Sequence, residues 1–225
     1  MPMAQFQNAT RTHTSFLAPL EKRVLIWMAE RLPGWMNSDH LTALGFLSLI
    51  GAGLAYWQSR SNAASLLVVI AFLALNWFGD SLDGTLARVR NCQRPRYGFY
   101  IDHILDACGS MFLLGGLAFS GYMSERVAAG LLVAYLLLSI EVHLATYTLG
   151  HFHLSFWKFG PTELRLLLMI GNIALLAHPM ATIAGKTYLL FDVGGIIGIA
   201  AMAAVLIQAI VKHTVHLYRA ETVAE

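Results

Sequence analysis

The stretch Asp80-Ser81-Leu82-Asp83-Gly84-Thr85-Leu86-Ala87-Arg88, then nine residues, then Gly98-Phe99-Tyr100-Ile101-Asp102-His103-Ile104-Leu105-Asp106, decides how this chain is read. Its four aspartates form two pairs, spaced i,i+3 and i,i+4. On helices, those spacings set each pair on one face. The flanks are apolar, with Leu66 to Leu75 before and Met111 to Phe119 after. Carboxylates on membrane helices are costly to ionise unless something neutralises them. Arg88 can answer one carboxylate but not four. Divalent cations bound through carboxylate oxygen fit that charge.

Composition agrees with a membrane setting. Of 225 residues, 57% are hydrophobic and 12% charged, where a soluble domain carries about a quarter charged. The length suits one domain, and a formal charge of +2 gives no reason to expect nucleic-acid binding. Cys92 and Cys108 form no CxxC and no disulfide framework, and are expected as free thiols. No apolar run lies close to residue 1, so a cleaved signal peptide is not expected.

Working outward gives an all-α integral membrane protein of six transmembrane helices, preceded by an amphipathic interfacial helix. Residues 1–14 read as a flexible N-terminus. Residues 15–33 place Leu17, Leu20, Val24, Trp27 and Met28 among Glu21, Lys22, Arg23, Glu30 and Arg31, the pattern of a helix lying on the membrane surface. The catalytic domain covers 38–219. Asn37 or Ser38 caps the first span, which reaches Trp57. The second runs from Ala63 past Asp80 towards Arg90, longer than a bilayer requires. The third runs from Gly98 to Gly121, the fourth from Arg126 to Leu149, and the fifth from Pro161 to His178. The sixth runs from Leu190 to Val211 and continues to Arg219, with Gly194, Gly195 and Gly198 allowing close helix contact. His151-Phe152-His153 reads as loop. With both termini inside, Arg60, Arg126 and Lys186 fall outside, and the other twelve of the fifteen Lys and Arg fall inside. That distribution follows the positive-inside rule and puts both aspartate pairs at the cytoplasmic face.

The pattern Asp-x-x-Asp-Gly-x-x-Ala-Arg…Gly-x-x-x-Asp-x-x-x-Asp resembles the signature of the CDP-alcohol phosphotransferases, membrane enzymes of phospholipid synthesis. All eight fixed positions are present: Asp80, Asp83, Gly84, Ala87, Arg88, Gly98, Asp102 and Asp106. The resemblance implies a CDP-linked donor, an alcohol acceptor, membrane lipids as surroundings, two Mg²⁺ or Mn²⁺ ions and a homodimer. It implies Asp80, Asp83 and Asp102 as metal ligands, and Asp106 as the group that takes the acceptor's proton, also near a metal. Base and ligand are not separable for Asp106 from sequence. Gly84, and by the same reasoning the small Ala87, would let the cytidine or a phosphate approach the helix. Arg88 can bind phosphate bidentately or snorkel to the interface. Thr42, near the N-terminus of the first span, is placed to reach the nucleotide; it stands where the family often has Pro-Asn-x-x-Thr, but here the run is Ser38-Asp39-His40-Leu41-Thr42.

The acceptor side offers Arg165, Glu141, His143 and His103. Arg165 can bind the phosphate of a phosphorylated polyol or anchor at headgroup depth. Glu141 and His143 lie within a leucine-rich span, as a functional pair or a structural hydrogen bond. His103 makes Asp102-His103-x-x-Asp106, which with Trp35 resembles the eukaryotic choline and ethanolamine phosphotransferases. Two donor classes follow. Either CDP-diacylglycerol gives its phosphatidyl group to a small polar alcohol, the favoured reading, or a CDP-amino alcohol gives its headgroup to diacylglycerol. A cation transporter is the rival from another class, although transporter acids usually lie near the bilayer midplane.

Overall fold

The computed structural model describes residues 10–12, 18–149, 151–153 and 161–221. Seven helices dominate: α1 (Ala18–Ala29), α2 (Ser38–Ser59), α3 (Ser65–Val89), α4 (Pro95–Ser120), α5 (Glu125–Leu149), α6 (Pro161–Ala177) and α7 (Leu190–Ala220). Two short β pairs accompany them: β1 (Thr10–Thr12) parallel with β2 (His151–His153), and β3 (Met180–Ile183) antiparallel with β4 (Lys186–Leu189). Apart from these short pairs the regular structure is helical, in keeping with the all-α expectation. Part of the N-terminal segment expected to be flexible is paired, and so is the His151–His153 stretch expected as loop.

Among the described residues five helices, α2, α3, α4, α5 and α7, are long and apolar enough to cross a membrane. α6 has seventeen residues, about 25 Å at 1.5 Å per residue, against a hydrocarbon core of about 30 Å. α7 is one continuous helix of 31 residues, so the expected last span and its continuation are a single rod.

The helix ends follow local chemistry. The Asn37 side chain accepts from the His40 amide at 2.9 Å, and the His40 ring accepts from the Asn37 amide, closing a capping box on α2. Ser38, the other expected cap, instead donates its hydroxyl to the Asp83 carbonyl at 3.0 Å. Pro95 occupies the first turn of α4, three residues before the expected start, and Gly121 ends that helix at φ 82°. The first turn of α5 is capped from across the bundle, where Asp192 of α7 accepts from the Ser124 amide at 2.7 Å.

α2 lies between α3 and α4 and is the most enclosed helix. Tyr56, Leu66, Val69, Leu73 and Leu117 close the main core. A second cluster, Leu25 and Ala29 of α1 with Leu41, Leu82 and Leu86, docks α1 onto α2 and α3. Leu20, Val24 and Trp27 of α1 remain exposed on its other side. Val133, Leu137, Ile140 and Leu144 of α5 are likewise exposed, an apolar surface that suits lipid.

Close approach depends on glycine. A Cβ on Gly116 would collide with the Gly53 carbonyl, and one on Gly53 with the Phe112 carbonyl. The backbones of α2 and α4 therefore touch there. On α7, side chains at Gly195 and Gly198 would meet Val127 and Leu131 of α5, whereas Gly194 faces open space. Overpacking of this kind costs about 1–3 kcal/mol. Gly116→Ala should therefore lower the detergent-solubilised protein's Tm by several degrees. Gly115→Ala, next to it but facing open space, should leave Tm nearly unchanged in the same scan.

Candidate active site

α3 ends and α4 begins on the same side of the bundle, so their aspartates converge. Asp80, Asp102 and Asp106 each present a carboxylate oxygen, and these oxygens lie within 4.8 Å of one another. Asp83 lines the same small cavity, with Thr42, Gly45 and Phe46 of α2, Asn76 of α3 and Leu105 of α4. Its Oδ2 accepts from the Thr42 hydroxyl at 2.6 Å, and its Oδ1 accepts from the Gly84 amide. The structure thus gathers three of the four expected carboxylates tightly and sets the fourth at the cavity edge, tied to α2.

That arrangement needs α2 and α3 in near contact. A Cβ on Gly79 would run into the Leu41 carbonyl and the Gly45 amide, and one on Gly45 would sit 3.3 Å from the Asp80 nitrogen. With both side chains missing, Asn76 reaches across and donates to the Gly45 carbonyl at 3.0 Å.

Arg165 enters from α6. Its Nε donates to Asn76 Oδ1 at 2.7 Å and its Nη2 to Asp80 Oδ2 at 2.5 Å. Its side chain is 13% exposed. Like charges about 4 Å apart repel by roughly 4 kcal/mol at an effective dielectric constant of 20. One guanidinium offsets only part of that repulsion among three carboxylates. The all-oxygen donor set could hold a hard divalent cation.

The other expected residues separate. Gly84, Ala87 and Arg88 lie on the last turns of α3, outside the cavity lining among the described residues. Arg88 donates to Thr85 Oγ1 at 2.9 Å. Ala87 is buried. His103 lies with Nδ1 2.6 Å from the Phe99 carbonyl oxygen and 3.9 Å from Asp102 Oδ2. His143 of α5 meets His103 edge-on, with ring centroids 4.5 Å apart. Glu141 does not join them. Its Oε1 lies 2.5 Å from His213 Nδ1 of α7. Residues two apart on a helix face different ways, so of the alternatives open for Glu141 the structure shows a hydrogen bond to His213 and not to His143.

A model of the CDP-alcohol phosphatidyltransferase family matches residues 35–212. The chain belongs to that family. An archaetidylinositol phosphate synthase of Methanothermobacter thermautotrophicus is 30% identical over 122 residues, 52% of this chain and 58% of that protein. The chain thus spans somewhat more than half the length of this curated relative. Membership in the CDP-alcohol phosphatidyltransferase family sets the cation-transporter reading aside. The matched residues begin after α1.

Sequence reasoning missed Asn76, Gly45 and Gly79. The available signal was an amide and two glycines in register with Asp80 on facing apolar helices. Asn76 is 2% exposed. Asn76→Leu would leave the Gly45 carbonyl and the Arg165 Nε without their partner, each costing about 1–3 kcal/mol when buried. A Tm drop larger than that of Gly116→Ala is the expected outcome in thermal unfolding of the solubilised protein.

Proposed function

We propose that the protein transfers a phosphatidyl-type group from a CDP-linked lipid, favoured as CDP-diacylglycerol, to a polar alcohol and releases CMP. The convergence of Asp80, Asp102 and Asp106, with Arg165 as counter-charge, carries this reading. Asp80, Asp83, Asp102 and Asp106 would hold two Mg²⁺ or Mn²⁺ ions. Bound there, the ions would clamp the donor diphosphate and neutralise charge on the departing CMP.

The residues do the rest. Asp106, one turn further along α4 than Asp102, takes the proton of the acceptor hydroxyl. The acceptor oxygen then bonds to the phosphorus distal to cytidine. The bridging P–O bond breaks, and its electron pair leaves with CMP. Thr42 acts by holding the Asp83 carboxylate rather than by reaching the nucleotide itself. Gly84, where among the described residues a Cβ would meet Arg88 Nη1 at 3.5 Å, leaves the α3 backbone open to the nucleotide. The small Ala87 leaves the same path clear, and Arg88 binds phosphate beside it.

A phosphorylated polyol is the acceptor best supported. Arg165 is a buried cation at the carboxylate cluster, and guanidinium suits phosphate. The archaeal relative is named for archaetidylinositol phosphate, which carries such a group. The reverse polarity, a CDP-amino alcohol giving its headgroup to diacylglycerol, has support from His143 seated on His103 beside Asp102. Glu141, paired away to α7, is withdrawn from the acceptor side.

We extend the proposal to topology. α6 is the sixth span, made up to membrane thickness by the hairpin that follows it. Asn172 and Leu175 are buried along it, as expected for a member of the bundle. α1 lies at the interface with Leu20, Val24 and Trp27 toward lipid. Both termini and the carboxylates face the cytoplasm, and two copies associate as a homodimer. In a Cys92→Ser, Cys108→Ser background, Arg94→Cys and Lys186→Cys should react with an impermeant thiol reagent from opposite sides of sealed vesicles. Reaction from the same side would overturn the six-span arrangement.

Purified protein should release CMP from CDP-diacylglycerol when a polyol phosphate is supplied, lose that activity in chelator and regain it with Mg²⁺ or Mn²⁺. Release only from CDP-choline or CDP-ethanolamine with diacylglycerol would reverse the donor assignment. A positioned general base contributes about 10²–10⁴-fold. Asp106→Asn should therefore lose turnover on that scale while keeping donor affinity at all Mg²⁺ concentrations. Asp83→Asn should weaken donor and metal binding together. Recovery of Asp106→Asn to near full rate with added Mg²⁺ would leave it a ligand only, with His103 the next candidate base.

A further inference from the structure

Glu21 of α1 ties three helices together through one carboxylate oxygen. Its Oε1 accepts from Trp77 Nε1 at 2.8 Å, from Ser81 Oγ at 3.4 Å and from Thr162 Oγ1 at 2.7 Å. Trp77 and Ser81 lie on α3, while Thr162 lies in the first turn of α6. The family match begins at residue 35, so this contact reaches the site from outside the matched region.

α3 carries two polar rows side by side. Asn76 and Asp80, four residues apart, meet Arg165. Trp77 and Ser81, also four apart, meet Glu21. Thr162 and Arg165 are three apart and share one face of α6. Two side-chain bonds reach the opening of α6 from α3 and α1: the ion pair of Arg165 with Asp80, and the hydroxyl of Thr162 on Glu21. In the proposed reaction the first must let go, because Asp80 goes to cation and Arg165 turns to the acceptor. The second remains to hold the first turn of α6.

We propose that Glu21 is a positioning residue for the acceptor: through Thr162 it holds the first turn of α6 so that Arg165 is aimed into the carboxylate cavity when its bond to Asp80 opens. The proposal rests on the reading of Arg165 as the acceptor-binding cation. The role needs an oxygen acceptor and not a charge, since all three partners are donors. Glu21→Gln keeps such an oxygen, and Glu21→Ala removes it. Thr162→Val keeps the shape and severs only the link to α6, leaving α1 bonded to α3.

The experiment measures CMP release with CDP-diacylglycerol and a polyol phosphate, varying each substrate in turn. A hydrogen bond to a charged group is worth about a tenfold change in an equilibrium. Glu21→Ala and Thr162→Val should each raise the acceptor KM about tenfold, with the donor KM unchanged, and Glu21→Gln should restore it. If Glu21→Ala fails to fold, Thr162→Val decides alone. An unchanged acceptor KM in Thr162→Val, or an equal rise in both KM values, would overturn the proposal. The functional reading is judged separately on the native protein, by whether removing the acceptor's phosphate abolishes activity. If it does not, the same KM comparison on the preferred acceptor still decides the role of Glu21.

Discussion

The ion pair between Arg165 and Asp80 is the constraint on which the active-site end of this bundle depends. Asp80 stands on an apolar helix with two other carboxylates within 4.8 Å. Such a group is costly to keep charged away from water unless it is paired. Arg165 supplies the partner from α6, a helix separated in sequence from α3 by two others. The same guanidinium is itself held by Asn76, which is held by the Gly45 carbonyl. A single polar chain thus runs from α6 through α3 to α2, and each link satisfies a group that burial would otherwise penalise.

The small residues of α2 and α3 follow from that chain. Asn76 reaches the Gly45 carbonyl, and Thr42 reaches Asp83, only because the two backbones touch at Gly45 and Gly79. Leu41, just before Thr42, is buried among Leu82 and Leu86. Apolar packing and the polar chain therefore demand one helix separation, and neither can change it without the other. α1 adds a third layer by the same means. Leu25 and Ala29 bury against α3 while Glu21 accepts from its polar edge.

The spans and the acidic motif were legible because they rest on local rules. Runs of apolar residues set helix length, Asn37 marks a start, and Gly121 marks a stop; the α4 start at Pro95 was read three residues late, at Gly98. The i,i+3 and i,i+4 spacings were enough to place the aspartates on faces. What escaped was long-range pairing. Nothing near Glu21 in sequence distinguishes it from Lys22 or Arg23 as a solvated charge, and its partners lie up to 141 positions away. Glu141 stood beside His143 with its partner left open, and the partner proved to be His213, 72 positions away. The β3–β4 hairpin was missed for a different reason. Its turn, Ala184-Gly185, has both residues at positive φ, 51° and 77°. An alanine there carries none of the usual Asn-Gly or Asp-Gly signal.

The exposure of the cluster reconciles stability with chemistry. A fully buried triad of carboxylates would have to be neutralised permanently, and a fully exposed one would bind cations weakly through solvent screening. Here Asp80 keeps 20% of its side-chain surface and Arg165 keeps 13%. The pair is dry enough for the guanidinium to matter and open enough for it to be exchanged. In the proposed reaction, an anionic diphosphate arriving with its cations would bring both the charge that replaces Arg165 on Asp80 and a second anion for Arg165 to meet. The ion pair that holds the site together is thus composed of the two groups that the proposed reaction must later separate. That separation is tolerable only because other contacts keep α3 and α6 in place when it opens.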